Sequence, residues 1–338
     1  MMLHVRTANL DEDSTTMLSL FKQHLNRLYT PARFDWLYRQ NPCGPGLAWL
    51  LIDDSHSVVG IAAAFPRSLL IGGAVHPALV LGDFCVAEEY RALGPALQLQ
   101  RACLSDVARR GVTLCYDFPS RSMLSIWDRL RLGHRIAMRR LARPLRVDEK
   151  VRRIFGSHAV AKSVAAVGNT VLARRHKRSV GDERLVVAIH CGACDDEFSA
   201  LARAIGSSFG ACMSRTHEYL NWRYVDNPVE RCEIVTARLN GCLRGYAVVA
   251  RGFGGARITD VFAMAPEETL PPLVETLLAQ LRDDGIDTAS LPLVASRDWH
   301  AVLAEMGFQP RETAPVVFHL PDASPPGAWF LTAADADS

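Results

Sequence analysis

Arg91, Gly94 and Ala96 stand near the end of a stretch, G-D-F-C-V-A-E-E-Y-R-A-L-G-P-A-L over Gly82 to Leu97, which begins with strand-type residues and runs through a short loop into a helix. The N–H groups at a helix start are unsatisfied, and together with the helix dipole they bind a pyrophosphate. Small residues at Gly94 and Ala96 let phosphates approach, and Arg91 can add a charge-assisted contact. Pro95 has no N–H to give, although its fixed φ suits a first helical turn. The stretch also carries three carboxylates, Asp83, Glu88 and Glu89, of which the last two are loop residues that solvent would normally claim.

The elements around this loop occur twice. F-D-W-L-Y-R-Q-N-P at Phe34 to Pro42 is echoed by L-N-W-R-Y-V-D-N-P at Leu220 to Pro228, so W-x-Y-x-x-N-P stands in each half of the chain. Each copy is followed by two β-type segments, then an aspartate before an apolar strand (Asp83, Asp260), then a helix of 3.6-residue period. A further strand and a Trp-containing helix ending in glycine complete each unit. The order predicts a duplicated α/β domain, each copy a mixed central sheet flanked by helices. The second copy reads M-A-P-E-E-T-L-P-P-L at the loop, with Glu267 and Glu268 where a phosphate would lie, so it keeps the scaffold without the anion site. Trp36, Tyr38 and Asn41 offer aromatic faces and an amide suited to a sugar-like acceptor. Their recurrence points equally to a buried Trp anchor followed by an Asn-Pro turn.

The loop resembles the acetyl-CoA signature of the GNAT N-acetyltransferase superfamily, in which Arg or Gln is followed after two residues by Gly and, one further on, by Gly or Ala. Arg91, Gly94 and Ala96 match that pattern. The resemblance covers Leu3 to Arg140 and, more weakly, Leu185 to His319, and the two-unit order resembles tandem GNAT proteins, including Fem-type aminoacyl transferases. It implies acetyl-CoA or another acyl-CoA as co-substrate, held by Phe84, Cys85 and Val86 on the strand and by Arg91, Ala92, Leu93, Gly94 and Ala96 at the loop. It further implies Asp83 as base toward the attacking amine, although Asp260 in the other copy suggests a structural task for the same position. The tyrosine that usually protonates the leaving thiolate is missing from the helix Met123 to Leu132, leaving Tyr116 or water in its place. Phe118 and Ser120, at the end of the next strand, are then placed to meet the acceptor. The expected reaction is transfer of an acyl group to a primary amine of a small molecule or glycan, an amino sugar of a cell-surface polysaccharide being the first choice. A binding protein that has lost catalysis, or a transferase using aminoacyl-tRNA, are the alternatives.

Bulk properties bound these expectations. The 338 residues suit two cores, read as domains 1–145 and 185–320 joined by a basic helical segment 146–184, with a flexible tail 321–338. With 38 basic and 36 acidic residues the net charge is only +2, which gives no reason to expect nucleic acid. The basic cluster between the halves (150–178) reads either as a solvated linker or as a surface for anionic lipid. Met1 to Asp13 has no signal-peptide pattern, and Leu69 to Ala87 is too interrupted to span a bilayer, so a cytoplasmic protein is expected, at the inner membrane face if the basic segment meets lipid. Nine scattered cysteines suit reduced thiols, and the lone C-x-x-C at Cys191 and Cys194 lacks a second ligand pair, so no metal is expected.

Overall fold

Asn9 and Thr30 start the first two helices, their side-chain oxygens accepting the backbone N–H groups of Asp11 and Arg33. The computed structural model describes residues 2–148, 151, 185–252, 255–319 and 327–336. The first half runs β1 (His4–Thr7), α1 (Leu10–His24), α2 (Pro31–Tyr38), β2 (Leu47–Ile52), β3 (Val58–Ile71), β4 (Ala74–Val86), α3 (Leu93–Arg109), β5 (Leu114–Asp117), α4 (Arg121–Leu130) and β6 (His134–Pro144). The second runs β7 (Leu185–Ile189), α5 (Asp196–Gly206), β8 (Ala211–Met213) and α6 (His217–Leu220), which continues as a π-helical turn over Asn221–Val225. Then come β9 (Cys232–Leu239), β10 (Cys242–Gly252), β11 (Gly255–Ala263), α7 (Pro266–Asp283), β12 (Thr288–Val294), α8 (Arg297–Glu305), β13 (Gln309–His319) and β14 (Trp329–Thr332), closed by a 3₁₀ turn at Ala333–Asp335.

The strands form one mixed sheet in the order β1-β2-β3-β4-β5-β13-β6-β12-β11-β10-β9-β7. The halves are interlocked rather than merely adjacent, because each gives its last long strand to the other. β13 pairs with β5 of the first half, β6 pairs with β12 of the second, and β6 and β13 pair with each other at the centre. Thus the split into 1–145 and 185–320 follows the repeat, but neither unit completes its sheet alone.

The two W-x-Y motifs meet at this join. The indole N–H of Trp36 donates to the Trp222 carbonyl at 2.7 Å, that of Trp222 donates to the Trp36 carbonyl at 2.9 Å, and the rings stack with centroids 4.8 Å apart. Such reciprocity is what a two-fold relation between repeats requires. One core cluster crosses the join from Met17, Phe21 and Tyr38 through Trp222 and Phe198 to Leu273 and Leu277. A second, containing Leu51, Leu99, Leu104 and Trp127, packs α3 and α4 on the opposite face of the first half's strands.

One expectation for the periphery changes. The expected flexible tail contains β14, whose Phe330 and Leu331 are fully buried. It pairs with β12 and with β8, which in turn pairs with the outer end of β3. Three apolar residues and a threonine after a proline-rich run have no readable periodicity, yet they fill a gap in the sheet. The basic cluster lies almost wholly outside the described residues. Among the described residues no helix is long and apolar enough to cross a membrane.

Candidate functional site

β4 and β5 run parallel and are paired only at Ala78–Leu114, Leu79–Cys115 and Val80–Tyr116. Beyond Val80, β4 continues to Val86 bonded to β3 alone, so the edge of Leu81–Val86 that faces β5 has no strand partner. This wedge, open between two parallel strands, leads to the start of α3. A β-bulge lies inside it. Gly82 pairs with Ala63 and Cys85 with Ile61, so Asp83 and Phe84 together oppose Ala62, and Asp83 takes φ +43°. An aspartate tolerates that left-handed conformation, and a bulge re-aims its side chain.

Asp83 is buried on the α1–α2 side of the sheet. Its carboxylate accepts the hydroxyls of Tyr29 (2.5 Å) and Tyr38 (3.1 Å), and the Arg33 guanidinium stands 4.0 Å away. Burial and the neighbouring carboxylate raise the pKa of both tyrosines, so their protons stay on and they act as donors. Cys85 is pushed up to about 12 by burial and by Asp83, which makes its thiol inert.

At the other end of the wedge α3 begins at Leu93 after Ala92, which has no side chain to cap it. The Leu93 and Gly94 N–H groups lie in the first turn, where no intrahelical partner exists. A Cβ built at Gly94 meets nothing within 4 Å, so the cradle is open on that side. Arg91 is exposed and tied to the strand end through its Nε on the Val86 carbonyl at 3.2 Å. Tyr90 anchors the preceding 3₁₀ turn by donating to Asp53 at 2.8 Å. These residues fit a pyrophosphate: free donors, a guanidinium, and no side chain in the way.

The second half is closed at the same place. β11 and β12 pair only at Ala256–Ala289 and Arg257–Ser290 and then part. β14 occupies that gap, bonded to Leu293 and Val294 of β12, and the 3₁₀ turn after it brings Asp335 to Asp260. There Arg215 joins Asp260 (3.1 Å) and Asp335 (2.9 Å), all three fully buried, while Tyr246 and Thr332 donate to Asp260. Although burial opposes its charge, the two carboxylates hold Arg215 well above its ordinary pKa. The connection from strand to helix is also short, 264–265 against 87–92 in the first half, and Glu267 and Glu268 stand in the first turn of α7.

Several expected residues do other work. Tyr116, the substitute acid, is fully buried, donates to the Asp335 carbonyl at 2.8 Å and has its pKa raised well above the ordinary value by burial. It cannot reach a leaving group in the wedge. Tyr38 and Asn41 are buried too. Tyr38 holds Asp83, and the Asn41 amide bridges Pro66 O and Cys43 N across a turn, so neither forms an acceptor surface. Trp36 is packed and buried at the join, where it also lines a cavity. Phe118 is half-buried beside Tyr116, and Ser120 caps α4 by accepting the Met123 N–H at 3.3 Å. Trp127 on α4 donates to Asp117 at 2.7 Å, and no tyrosine lies on that helix. Among the described residues no group of three His, Cys, Asp or Glu could hold a metal; Cys191 is exposed and Cys194 buried.

Tyr29 and Arg33 were not foreseen. Alignment of the repeats on Trp36 and Trp222 would have marked one of them, since Tyr29 then falls opposite Arg215 and each faces the aspartate of its own half.

Residues 4–130 match the family model of the Acetyltransferase (GNAT) domain, a span that contains the open wedge and the cradle and ends before the second half. No curated protein sequence matches the chain. Among solved structures, a probable N-acyltransferase of unknown function from Enterococcus faecalis is similar over 95% of this chain and 73% of its own, with TM-score 0.68 and 12% identity. A GCN5-related N-acetyltransferase from Anabaena variabilis is similar over the same shares, with TM-score 0.67 and 14% identity. Eis1 from Mycobacterium abscessus is similar over 95% of this chain and 74% of its own, with TM-score 0.61 and 16% identity. At such identities the likeness to these three structures is one of fold.

Proposed function

We propose that an acetyltransferase domain in residues 4–130 makes this chain an acyl-CoA-dependent N-acyltransferase, acting through the first half on a primary amine. The observation that carries this reading is the open β4–β5 wedge running from Asp83 to the uncapped start of α3. Arg91 and the Leu93 and Gly94 N–H groups hold the pyrophosphate of acetyl-CoA or another acyl-CoA. The free edge of Leu81–Val86 offers backbone N–H groups to the thioester carbonyl, polarising it and stabilising the oxyanion as the amine adds. Asp83 takes the proton from the attacking nitrogen directly or through water, with the Tyr29 and Tyr38 hydroxyls fixing its carboxylate. The C–N bond forms, the C–S bond breaks, and the thiolate takes its proton from water, to which Asp83 returns the proton it accepted. A thiol pKa of about 8–9 makes that last transfer undemanding without Tyr116. The acceptor is a small-molecule or glycan amine, an amino sugar of a cell-surface polysaccharide being the preferred class. A sugar-sized acceptor is supported by the cavity beside Trp36.

The test is amine-dependent release of free CoA thiol from acetyl-CoA across a panel of amino sugars and amino acids. Asp83→Asn is expected to lower kcat by about 10²–10⁴ while leaving the Kd for acetyl-CoA in place. Wild-type turnover that does not depend on amine would overturn the transfer reading, and equal rates in the variant would remove Asp83 from the chemistry.

A further inference from the structure

A cavity of ≈ 760 Å³ opens where α2 of the first half meets the β9–β11 face of the second, a volume within the range of about 300–1,000 Å³ typical of small-molecule sites. Its wall carries five guanidinium groups, on Arg33, Arg223, Arg231, Arg251 and Arg257, against two carboxylates, Glu230 and Glu233. Both carboxylates are already engaged. Glu230 accepts from Arg257 Nη2 at 2.9 and 3.0 Å, and Glu233 accepts more loosely from Arg251 Nη2 at 3.3 and 3.4 Å, while Arg251 also reaches Asp284 behind the wall. A guanidinium has five N–H donors, so these pairings leave donors over. Arg231 is exposed and makes no ion pair among the described residues, and the buried Tyr224 hydroxyl, also at the wall, has no hydrogen-bond partner among them. Arg33 belongs both to this cavity and to the aspartate of the wedge, its Nη2 standing 4.0 Å from Asp83.

We propose that this cavity is the acceptor subsite and that it holds the acceptor by an anionic group, a phosphate or a carboxylate, with the amine directed past Arg33 toward Asp83. The proposal rests on the transfer reading above and narrows its substrate class. A purely cationic amine would meet surplus like charge, whereas an amine that also carries an anion meets forked donors suited to bidentate contact. The second half, closed to acyl-CoA by β14, thereby supplies the arginines with which the first half recognises its acceptor.

Isothermal titration of the full chain at low ionic strength, with inorganic phosphate and separately with succinate, tests this. The titrations are run in the Gly94→Glu chain as well, since phosphate could also enter the α3 cradle. At least one anion is expected to bind saturably in both, and Arg231→Glu to weaken it by about tenfold or more with the Kd for acetyl-CoA unchanged. Phosphate alone binding identifies a phosphorylated acceptor, and succinate alone a carboxylate acceptor. If neither anion binds the Gly94→Glu chain, or Arg231→Glu binds as wild type does, the subsite is overturned. Acetyl-CoA binding and thiol release, measured on the same samples, report independently on the transfer reading.

Discussion

Single residues divide by how far away their partners are. The place of Arg91 and Gly94 at a helix start could be read from sequence because that start lies within a few positions of them. Tyr29 and Arg33 could not, because the carboxylate they face comes some fifty residues later and is turned toward them by a bulge. Trp36 and Tyr38 were ambiguous for a related reason: an aromatic side chain suits a sugar face and a protein core equally, and only the stacking partner Trp222 decides. Asp53 is a further local device. It accepts the hydroxyls of Ser55 and Tyr90 and the Ser57 N–H, which lower its pKa to about 2. A carboxylate depressed in this way stabilises the fold above its unfolded pKa and loses that contribution as pH falls through the folded value. The stability difference between wild type and Asp53→Asn is therefore expected to be flat above about pH 5 and to shrink steadily toward about pH 2, as followed by urea unfolding. A difference that grew on acidification would contradict the assignment.

At the scale of elements, two strand-to-helix connections at corresponding places in the two halves have opposite properties. The first is long, uncapped and open at Gly94; the second is two residues long, carries Glu267 and Glu268, and adjoins a gap filled by β14. The acidic character of the second helix start was legible in those glutamates. The plug was not, because β14 is too short to show a period and its place is fixed by pairing with β12 and β8. The plug depends on Arg215, buried between Asp260 and Asp335. Arg215→Met would leave two buried carboxylates without their cation, at a cost of about 3–5 kcal/mol read from chemical denaturation. A loss below about 1 kcal/mol would mean that the network does not hold β14 in place.

For the whole molecule, the repeat predicted the order of elements but not the exchange of β6 and β13, since sequence order alone leaves either pairing open. Exchange makes each half complete the other's sheet. Heat is accordingly expected to unfold the chain in one transition, with calorimetric and van't Hoff enthalpies equal; two resolved transitions would show halves that fold independently. The proposed division of labour is the stronger claim: one wedge is open and one filled, so the proposed function requires one acyl-CoA per chain. Isothermal titration of wild type and Gly94→Glu with acetyl-CoA measures this most directly, because the space beside Gly94 accepts a side chain without steric clash. The account predicts a stoichiometry of about one, abolished by the glutamate's charge and bulk at the cradle. Two sites per chain, or binding that survives in Gly94→Glu, would contradict it.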